Sequence, residues 1–504
     1  MISKRFTKTN LHSAKNIFLL LMAAGAASCH FNSEKKGSGA NGQPAVDSEI
    51  LRKGAAVYTV HCAGCHGQQL QGSIAPALVN SALKHGEDFD AILKSISEGI
   101  ASTEMVDFAK TLQEDQIRDL TTYIIAAHKS PDLIISDDKP SEVGTKHYDL
   151  RIEKIVGEGL DKPWGIEFLN ADSALVTFSK GELRWLVGGK VDSKKIEGIP
   201  KTYASDMFGG LMDVALDPDH EKNGWVYLAY SYNSAGTKDE NAPGTTKIVR
   251  GKVKGHRWTD EQTLFQAHDS LFVAYGTRWG CRFLFDKQGY LYFTIGEMRG
   301  PHDSGGRRPQ LLARPEGKIF RINRDGSIPE SNPLKNKKNV FQAIYAWGTR
   351  NVQGIAQHPA TGEIYFTDHG PEGGDELNRL KNGANYGWPD ITYGVDYGGA
   401  IISNETHKEG MEQPLTYWTP SIAVSAIEFV SGHMFPKWNN DLLVTALKFE
   451  EVRRLAIEND KVKDDEILLK GYGRVRDIKI GPDGALYVLT NTPDALLRIT
   501  PKTP

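Results

Sequence analysis

The chain has 504 residues and a formal net charge of −3, a balance that excludes the strongly basic face of a nucleic-acid binder. Hydrophobic residues at 39% and charged residues at 24% exclude a wholly disordered chain, because there is enough apolar surface to offset the entropy of ordering. Four cysteines are too few for a disulfide-stapled scaffold, and the length accommodates roughly three domains of ~150 residues.

Lys4, Arg5, Lys8 and Lys15 open the chain ahead of an apolar run from Ile17 to Ala27. That run is shorter than the ~20 residues of a membrane helix. With Ala26, Ala27 and Ser28 before Cys29, residues 1–29 read as a signal peptide. A cysteine at the cleavage point resembles a bacterial lipobox, which implies lipid on Cys29 and a place in the periplasm or cell envelope, although Ala26 stands where such signals usually carry Leu. A plainly secreted chain is the alternative. Residues 30–47, rich in Gly, Ser and Lys, predict a flexible tether.

Residues 48–130 predict a small all-α haem domain. His61-Cys62-Ala63-Gly64-Cys65-His66 contains C-x-x-C-H. Two thiols at this spacing can add to the two vinyl groups of a haem, while the adjacent imidazole takes one face of the iron. Ile50, Ala55, Val57, Tyr58 and Val60 give one helical stretch before the motif; Ile117, Leu120, Ile124 and Ile125 give another that closes the unit. Half a zinc site or a redox pair would be the alternatives, but no second ligand pair stands at zinc spacing. For the other face of the iron, Met105 is the only methionine between His66 and residue 140, with His85 and His128 as further candidates. The arrangement is similar to a class I cytochrome c. Gly54, Tyr58 and Tyr123 stand where that family's helices cross, and Val106 follows Met105 where the family often has Pro.

Ser130-Pro131-Asp132 breaks the closing helix, and the charged, Pro-punctuated stretch that follows predicts a linker over 131–147. From 148 to 504 one theme recurs: a short apolar strand, a turn of Asp, Pro, Asn or Gly, then an aromatic strand. Its six copies begin at Trp164, Met212, Arg282, Gly354, Ala426 and Asp477. Alternation and turn chemistry mark antiparallel strands, and six copies predict an all-β six-bladed β-propeller rather than a β-sandwich. Leu150-Arg151-Ile152 and Leu496-Leu497-Arg498-Ile499 are suitable partners to close the ring without an open edge.

Several stretches carry a more specific resemblance. They are Gly348-Thr349-Arg350-Asn351-Val352-Gln353-Gly354, His369-Gly370-Pro371-Glu372-Gly373-Gly374-Asp375-Glu376-Leu377-Asn378, Asn385-Tyr386-Gly387-Trp388-Pro389 and Arg474-Val475-Arg476-Asp477. Together with Gly317-Lys318-Ile319 and Asp325-Gly326-Ser327-Ile328-Pro329, they resemble the soluble glucose, aldose and sorbosone dehydrogenases that use pyrroloquinoline quinone (PQQ) and calcium. The resemblance covers nearly all of 148–504 and implies a six-bladed propeller. It implies that Arg350, Lys448, Arg474 and Arg476 hold the PQQ carboxylates, a task that suits guanidinium, with Asn351 beside the quinone. It also implies that Gly370 and Pro371 offer carbonyl oxygens to Ca2+, which would polarise the quinone.

The departures fall at the substrate side. In Gly276-Thr277-Arg278-Trp279-Gly280-Cys281-Arg282, Arg278 stands where the family has its proton-abstracting His, and guanidinium cannot be a general base at neutral pH. Phe208 replaces a Gln, and Phe178-Ser179 a Glu-Arg pair. Glu297 matches an acidic position of the family's site and is the candidate base; His268 and His302 are further candidates, and Cys281 reads as a small buried residue. The expectation is an exported quinohaem oxidoreductase. It would oxidise an aldose-like sugar or alcohol and pass electrons to its own haem c and then to a downstream redox partner. It would meet a membrane only through its lipid anchor. A non-catalytic ligand-binding propeller joined to an electron-carrying cytochrome is the alternative, and a dehydrogenase for an acidic substrate is a third reading.

Overall fold

The computed structural model describes residues 48–502, apart from 74, 101–102, 104, 132–138, 204–208, 234–241, 275, 300–305 and 398. The signal peptide, Cys29 and the tether lie outside the described residues, as do Phe208 and His302. Residues 47–504 form one compact unit.

Four helices build the first part of that unit: α1 (Ser48–His61), α2 (Ala63–His66), α3 (Phe89–Glu98) and α4 (Glu114–Lys129). Two of them are capped as their sequences suggest. Asp88 accepts from the Ala91 N–H at the start of α3, and Gln113 and Gln116 form a reciprocal capping box on α4. The crossing of α1 and α4 depends on Gly54: a Cβ there would lie 2.2 Å from the Asp119 carbonyl oxygen and 2.6 Å from Tyr123 Cβ. Only glycine allows so close an approach. One turn on, the Tyr58 and Tyr123 rings meet at 5.6 Å, and Tyr58 Oη donates to the Gly67 carbonyl at 2.6 Å, which ties α1 to the end of the C-x-x-C-H segment. Leu70, Ile92, Ile96, Leu120 and Ile124 complete a buried core around these rings.

The rest is a six-bladed propeller, each blade an antiparallel four-stranded sheet except the last, which has five strands. The innermost strands are Pro163–Phe168, Leu211–Leu216, Phe283–Phe285, Val352–Gln357, Val424–Phe429 and Arg474–Ile480, so every copy of the repeated theme is the inner half of one blade. The ring closes by Asp149–Val156 pairing with Ala495–Pro501, with Ile152 opposite Ile499. The predicted partners therefore meet. Part of the expected linker is ordered: Glu142–Gly144 adds a fifth strand outside Asp149–Val156. Three residues of alternating exposure carry too little pattern to be read as a strand.

Adjacent blades are fastened by hydroxyls, two near the ends of second strands and one, Ser425, on the inner strand of blade five. Thr294 Oγ1 donates to the Val352 carbonyl (2.9 Å), Thr367 Oγ1 to Ser425 (2.7 Å), and Ser425 Oγ to Val475 (2.6 Å). The blades lie so close that a Cβ on Gly354 would sit 2.4 Å from the Ser425 carbonyl oxygen. At the ring's centre, Arg282 is 4% exposed. Its Nη1 lies 3.1 Å from Asp213 and 2.9 Å from Asp477, its Nε donates to the Gln353 carbonyl, and its guanidinium stacks 4.5 Å over Trp164. One guanidinium thus holds residues from four other blades, and burial pushes the Asp213 carboxyl up to about 6 despite this partner.

Candidate functional site

The inner strand of blade four begins at Val352, and Arg350 and Asn351 just before it join a cluster of buried charged and polar side chains. Asp368 holds these two residues: its carboxylate accepts from the Arg350 N–H at 2.8 Å and the Asn351 N–H at 2.6 Å. The Asn351 side-chain oxygen in turn accepts from the Gly280 N–H at 3.2 Å. Arg350, 3% exposed, sends Nη1 to the carbonyl oxygens of His369 (2.5 Å) and Gly370 (2.6 Å). Two carbonyls of one loop therefore converge on a positive group. Asp375 shapes that loop by accepting from the Gly370 N–H at 2.7 Å and from Ser421, and Pro371 packs beside Gly394.

Glu297 lies between two cations. Its Oε1 is 3.5 Å from Arg278 Nε and 3.5 Å from Arg350 Nε, and its Oε2 accepts from Trp388 Nε1 at 2.7 Å. Arg278 has a left-handed backbone, φ 58°, a strained conformation for a residue other than glycine. Its guanidinium also bonds Thr277 Oγ1 and lies 5.9 Å from the Tyr397 ring centre. Arg476 reaches neutral acceptors, Gln353 Oε1 at 3.0 Å and Asn491 Oδ1 at 3.4 Å.

The result is a crowd of buried cations. Burial, then the charges of Arg474 and Arg282, push Arg476 below its ordinary value. Burial likewise lowers Arg278, with Arg350 adding to the effect. His369 is held well below the usual imidazole range by burial, then by Arg350, Arg474, Arg476 and Arg278. It is neutral, and its Nδ1 is buried without a hydrogen-bond partner. A site of this kind is costly unless an anion fills it.

Lys448 and Arg474 sit where this pocket meets the helical domain. Arg474 Nη1 donates to the Gly64 carbonyl at 2.7 Å, the Lys448 stem lies along Gly64, and Gln68 Nε2 donates to the Lys448 carbonyl at 2.5 Å. Arg474 is therefore engaged by the C-x-x-C-H segment. Cys62 is buried and Cys65 half-buried, and burial pushes the Cys62 thiol up to about 12. His66 Nδ1 is 2.8 Å from the Pro76 carbonyl oxygen. A carbonyl oxygen can only accept, so Nδ1 carries the proton and Nε2 keeps the ring's lone pair. Met105 is half-buried against the helical core, and its carbonyl accepts from the Ile100 N–H.

Other candidates are occupied elsewhere. His128 Nδ1 bonds the Leu78 carbonyl, His85 is exposed, and His268 is an exposed cap bonded to Ser270. Phe178 is buried in blade one beneath Arg184. Cys281 is fully buried, and burial raises its thiol. Sequence reasoning did not single out Asp368, His369, Trp388 or Tyr397 as site residues. The first three stand in or beside the motifs of the resemblance, and nothing marks Tyr397.

A family described as glucose/sorbosone dehydrogenase matches residues 160–498, and one described as cytochrome c oxidase, cbb3-type, subunit III matches residues 49–124. Aldose sugar dehydrogenase YliI of Escherichia coli (strain K12) is 36% identical over 356 residues, 69% of this chain and 92% of that protein. Quinoprotein glucose dehydrogenase B of Acinetobacter calcoaceticus is 26% identical over 366 residues, 57% of this chain and 74% of its own length. The crystal structure of the apo-form of the soluble aldose sugar dehydrogenase from Escherichia coli matches with a TM-score of 0.64 at 33% identity, covering 70% of this chain and all of that one. Fold, pocket and sequence agree: the chain belongs to the glucose/sorbosone dehydrogenase family, with a cytochrome c domain ahead of its propeller.

Proposed function

We propose that the chain is a quinohaem sugar dehydrogenase that oxidises an aldose-like sugar or alcohol in the propeller and passes the electrons to its own haem. The observation that carries this reading is a buried cationic pocket in direct contact with the haem-attachment segment. Arg350 and Arg476 would hold the carboxylates of PQQ, with Lys448 and Arg474 at the haem side and Asn351 beside the ring. The carbonyls of the Gly370–Pro371 loop suit Ca2+, since the Gly370 oxygen already faces a cation. Cys62 and Cys65 would bind haem covalently, with His66 and Met105 as iron ligands. When bound, PQQ with calcium supplies a two-electron acceptor and haem iron a one-electron carrier.

The chain's own residues then have distinct tasks. Glu297 is the candidate to take the substrate hydroxyl proton at Oε1, because Arg278 carries no lone pair for it. Arg278 and Arg350 hold that carboxylate in place. The aromatic residues Trp388 and Tyr397 border the same space. Export and a lipid on Cys29 are part of the proposal and rest on the leader sequence. The test is to load the full haem-containing chain with PQQ and calcium, add a panel of neutral and acidic sugars, and follow haem reduction. Substrate-dependent reduction is expected. A chain that takes up no PQQ in the presence of calcium overturns the reading in favour of a binding propeller.

A further inference from the structure

The segment that carries the haem-attachment cysteines and the cationic pocket share one guanidinium. Gly64, between Cys62 and Cys65, accepts from Arg474 Nη1 at 2.7 Å. A Cβ on Gly64 would meet Lys448 Cγ, Cδ and Cε at 3.1, 3.2 and 3.3 Å, so the lysine stem lies flat across this residue. Gln68 adds a second polar tie, its Nε2 donating to the Lys448 carbonyl at 2.5 Å. Arg474 is 9% exposed. On its pocket side its charge acts on Arg476 and His369. Glu450 is the carboxylate whose charge reaches Arg474, and it is itself 4% exposed.

We propose that Arg474 is a positioning residue that seats the haem-attachment segment on the propeller and links the haem's redox state to occupancy of the pocket. This deepens the quinohaem reading and rests on its assignment of haem to Cys62 and Cys65. The physics is that of one fixed charge near a site that changes charge. Ferric haem carries one more positive charge than ferrous haem, so a buried guanidinium beside it disfavours the ferric form and raises the reduction potential. A polycarboxylate in the pocket offsets part of that charge and lowers the potential again. Linkage makes the effect reciprocal: ferric protein binds the polycarboxylate more tightly than ferrous protein by the same factor, on the order of fivefold or more for a typical coupling.

The experiment is a spectroelectrochemical titration of the haem in the full chain, comparing wild type with Arg474→Gln and Arg474→Lys, each without and with saturating PQQ and calcium. Without PQQ, Arg474→Gln is expected to lower the midpoint potential, and Arg474→Lys, which keeps the charge, to restore it to near the wild-type value. PQQ is expected to lower the wild-type potential and to move that of Arg474→Gln much less. A purely structural role would not be rescued by charge alone. Equal potentials in wild type and Arg474→Gln, with haem attached in both, overturn the inference. Should Arg474→Gln fail to fold, an unchanged wild-type potential on saturation with PQQ overturns it instead. Calorimetry separates the two readings: absence of PQQ binding removes the dehydrogenase reading, while the titration without PQQ still decides the role of Arg474.

Discussion

Replacing Glu297 by Gln keeps the shape of the side chain and an oxygen for Trp388 Nε1, and removes one buried negative charge. The carboxylate is 2% exposed, and one of its oxygens lies 3.5 Å from both Arg278 Nε and Arg350 Nε. At an effective dielectric of ~20, each contact is worth about 5 kcal/mol of gross attraction. Mutual repulsion of the two guanidiniums and the desolvation of all three groups oppose it. Removing the only charge of one sign from such a group costs on the order of 3–5 kcal/mol. For a propeller of this size, with about 2 °C of melting shift per kcal/mol, Glu297→Gln should lower the propeller's thermal midpoint by roughly 6–10 °C in the ligand-free full chain. Scanning calorimetry at neutral pH measures it. The double variant Glu297→Gln/Arg278→Gln removes one of the stranded cations and should recover part of the loss. A fall below about 2 °C in the single variant, or no recovery in the double, would falsify the claim that Glu297 neutralises this pair.

Three further outcomes follow from the same geometry. Arg476→Ala should weaken PQQ binding by roughly a hundredfold or more in calorimetry, because a ligand carboxylate loses its buried partner at a cost of about 3–5 kcal/mol; affinity within tenfold of wild type refutes that assignment. Arg278→His places a titratable imidazole at the family's base position, so turnover of neutral aldoses should rise, up to the ~10²–10⁴-fold that general-base catalysis typically supplies. If the natural substrate is acidic, turnover should instead fall for that substrate alone. The third concerns Glu428 on the inner strand of blade five, whose carboxyl is pushed up to about 7 by burial, with Lys479 opposing the shift. Its folded value lies above the ordinary 4.5, so its protonation stabilises the fold fully below about pH 4.5, and the contribution is lost as pH rises through about 7. Partial solvent access limits this to about 1–2 kcal/mol. Glu428→Gln, which does not titrate, should therefore gain on wild type by that amount in melts between pH 4.5 and pH 8; a constant difference between the two proteins would count against it.

Most of the propeller was legible because each blade repeats one local physics. Alternation set the inner two strands, and Asp, Pro and Gly set the turns, as in Pro482-Asp483-Gly484 between Arg474–Ile480 and Leu486–Asn491. Closure was legible because Leu150 and Ile152 need an apolar partner strand, and Leu497 and Ile499 supply one. The fastening hydroxyls were visible but unread: Thr177, Thr294 and Thr367 stand near the ends of second strands and each donates to a carbonyl of the next blade. The helical domain was legible from C-x-x-C-H and from Gly54, Tyr58 and Tyr123, which do meet at the crossing. What no local pattern could give is the contact of Gly64 with Arg474, since 410 residues separate them. Motif position alone assigned Arg474 to the pocket, and the fold gives it a second neighbour.

That second neighbour bears on why a dehydrogenase pocket would tolerate Arg278 in place of a base. Glu297 partly neutralises Arg278 and Arg350, and the Gly64 carbonyl engages Arg474. Among the described residues the acceptors of Arg476 are neutral. The site therefore retains a positive excess that a polyanion can satisfy, and that excess adds to burial in holding His369 below the usual imidazole range. Once that excess is met by bound carboxylates, the hold of Arg350 on Glu297 weakens, and the carboxylate is left with Arg278 and Trp388. Arg278 is thus compatible with turnover if the proton goes to Glu297, and incompatible with it if the proton must go to residue 278 itself. Glu297→Gln and Arg278→His distinguish these cases, because only in the first does Glu297→Gln abolish haem reduction while Arg278 is intact.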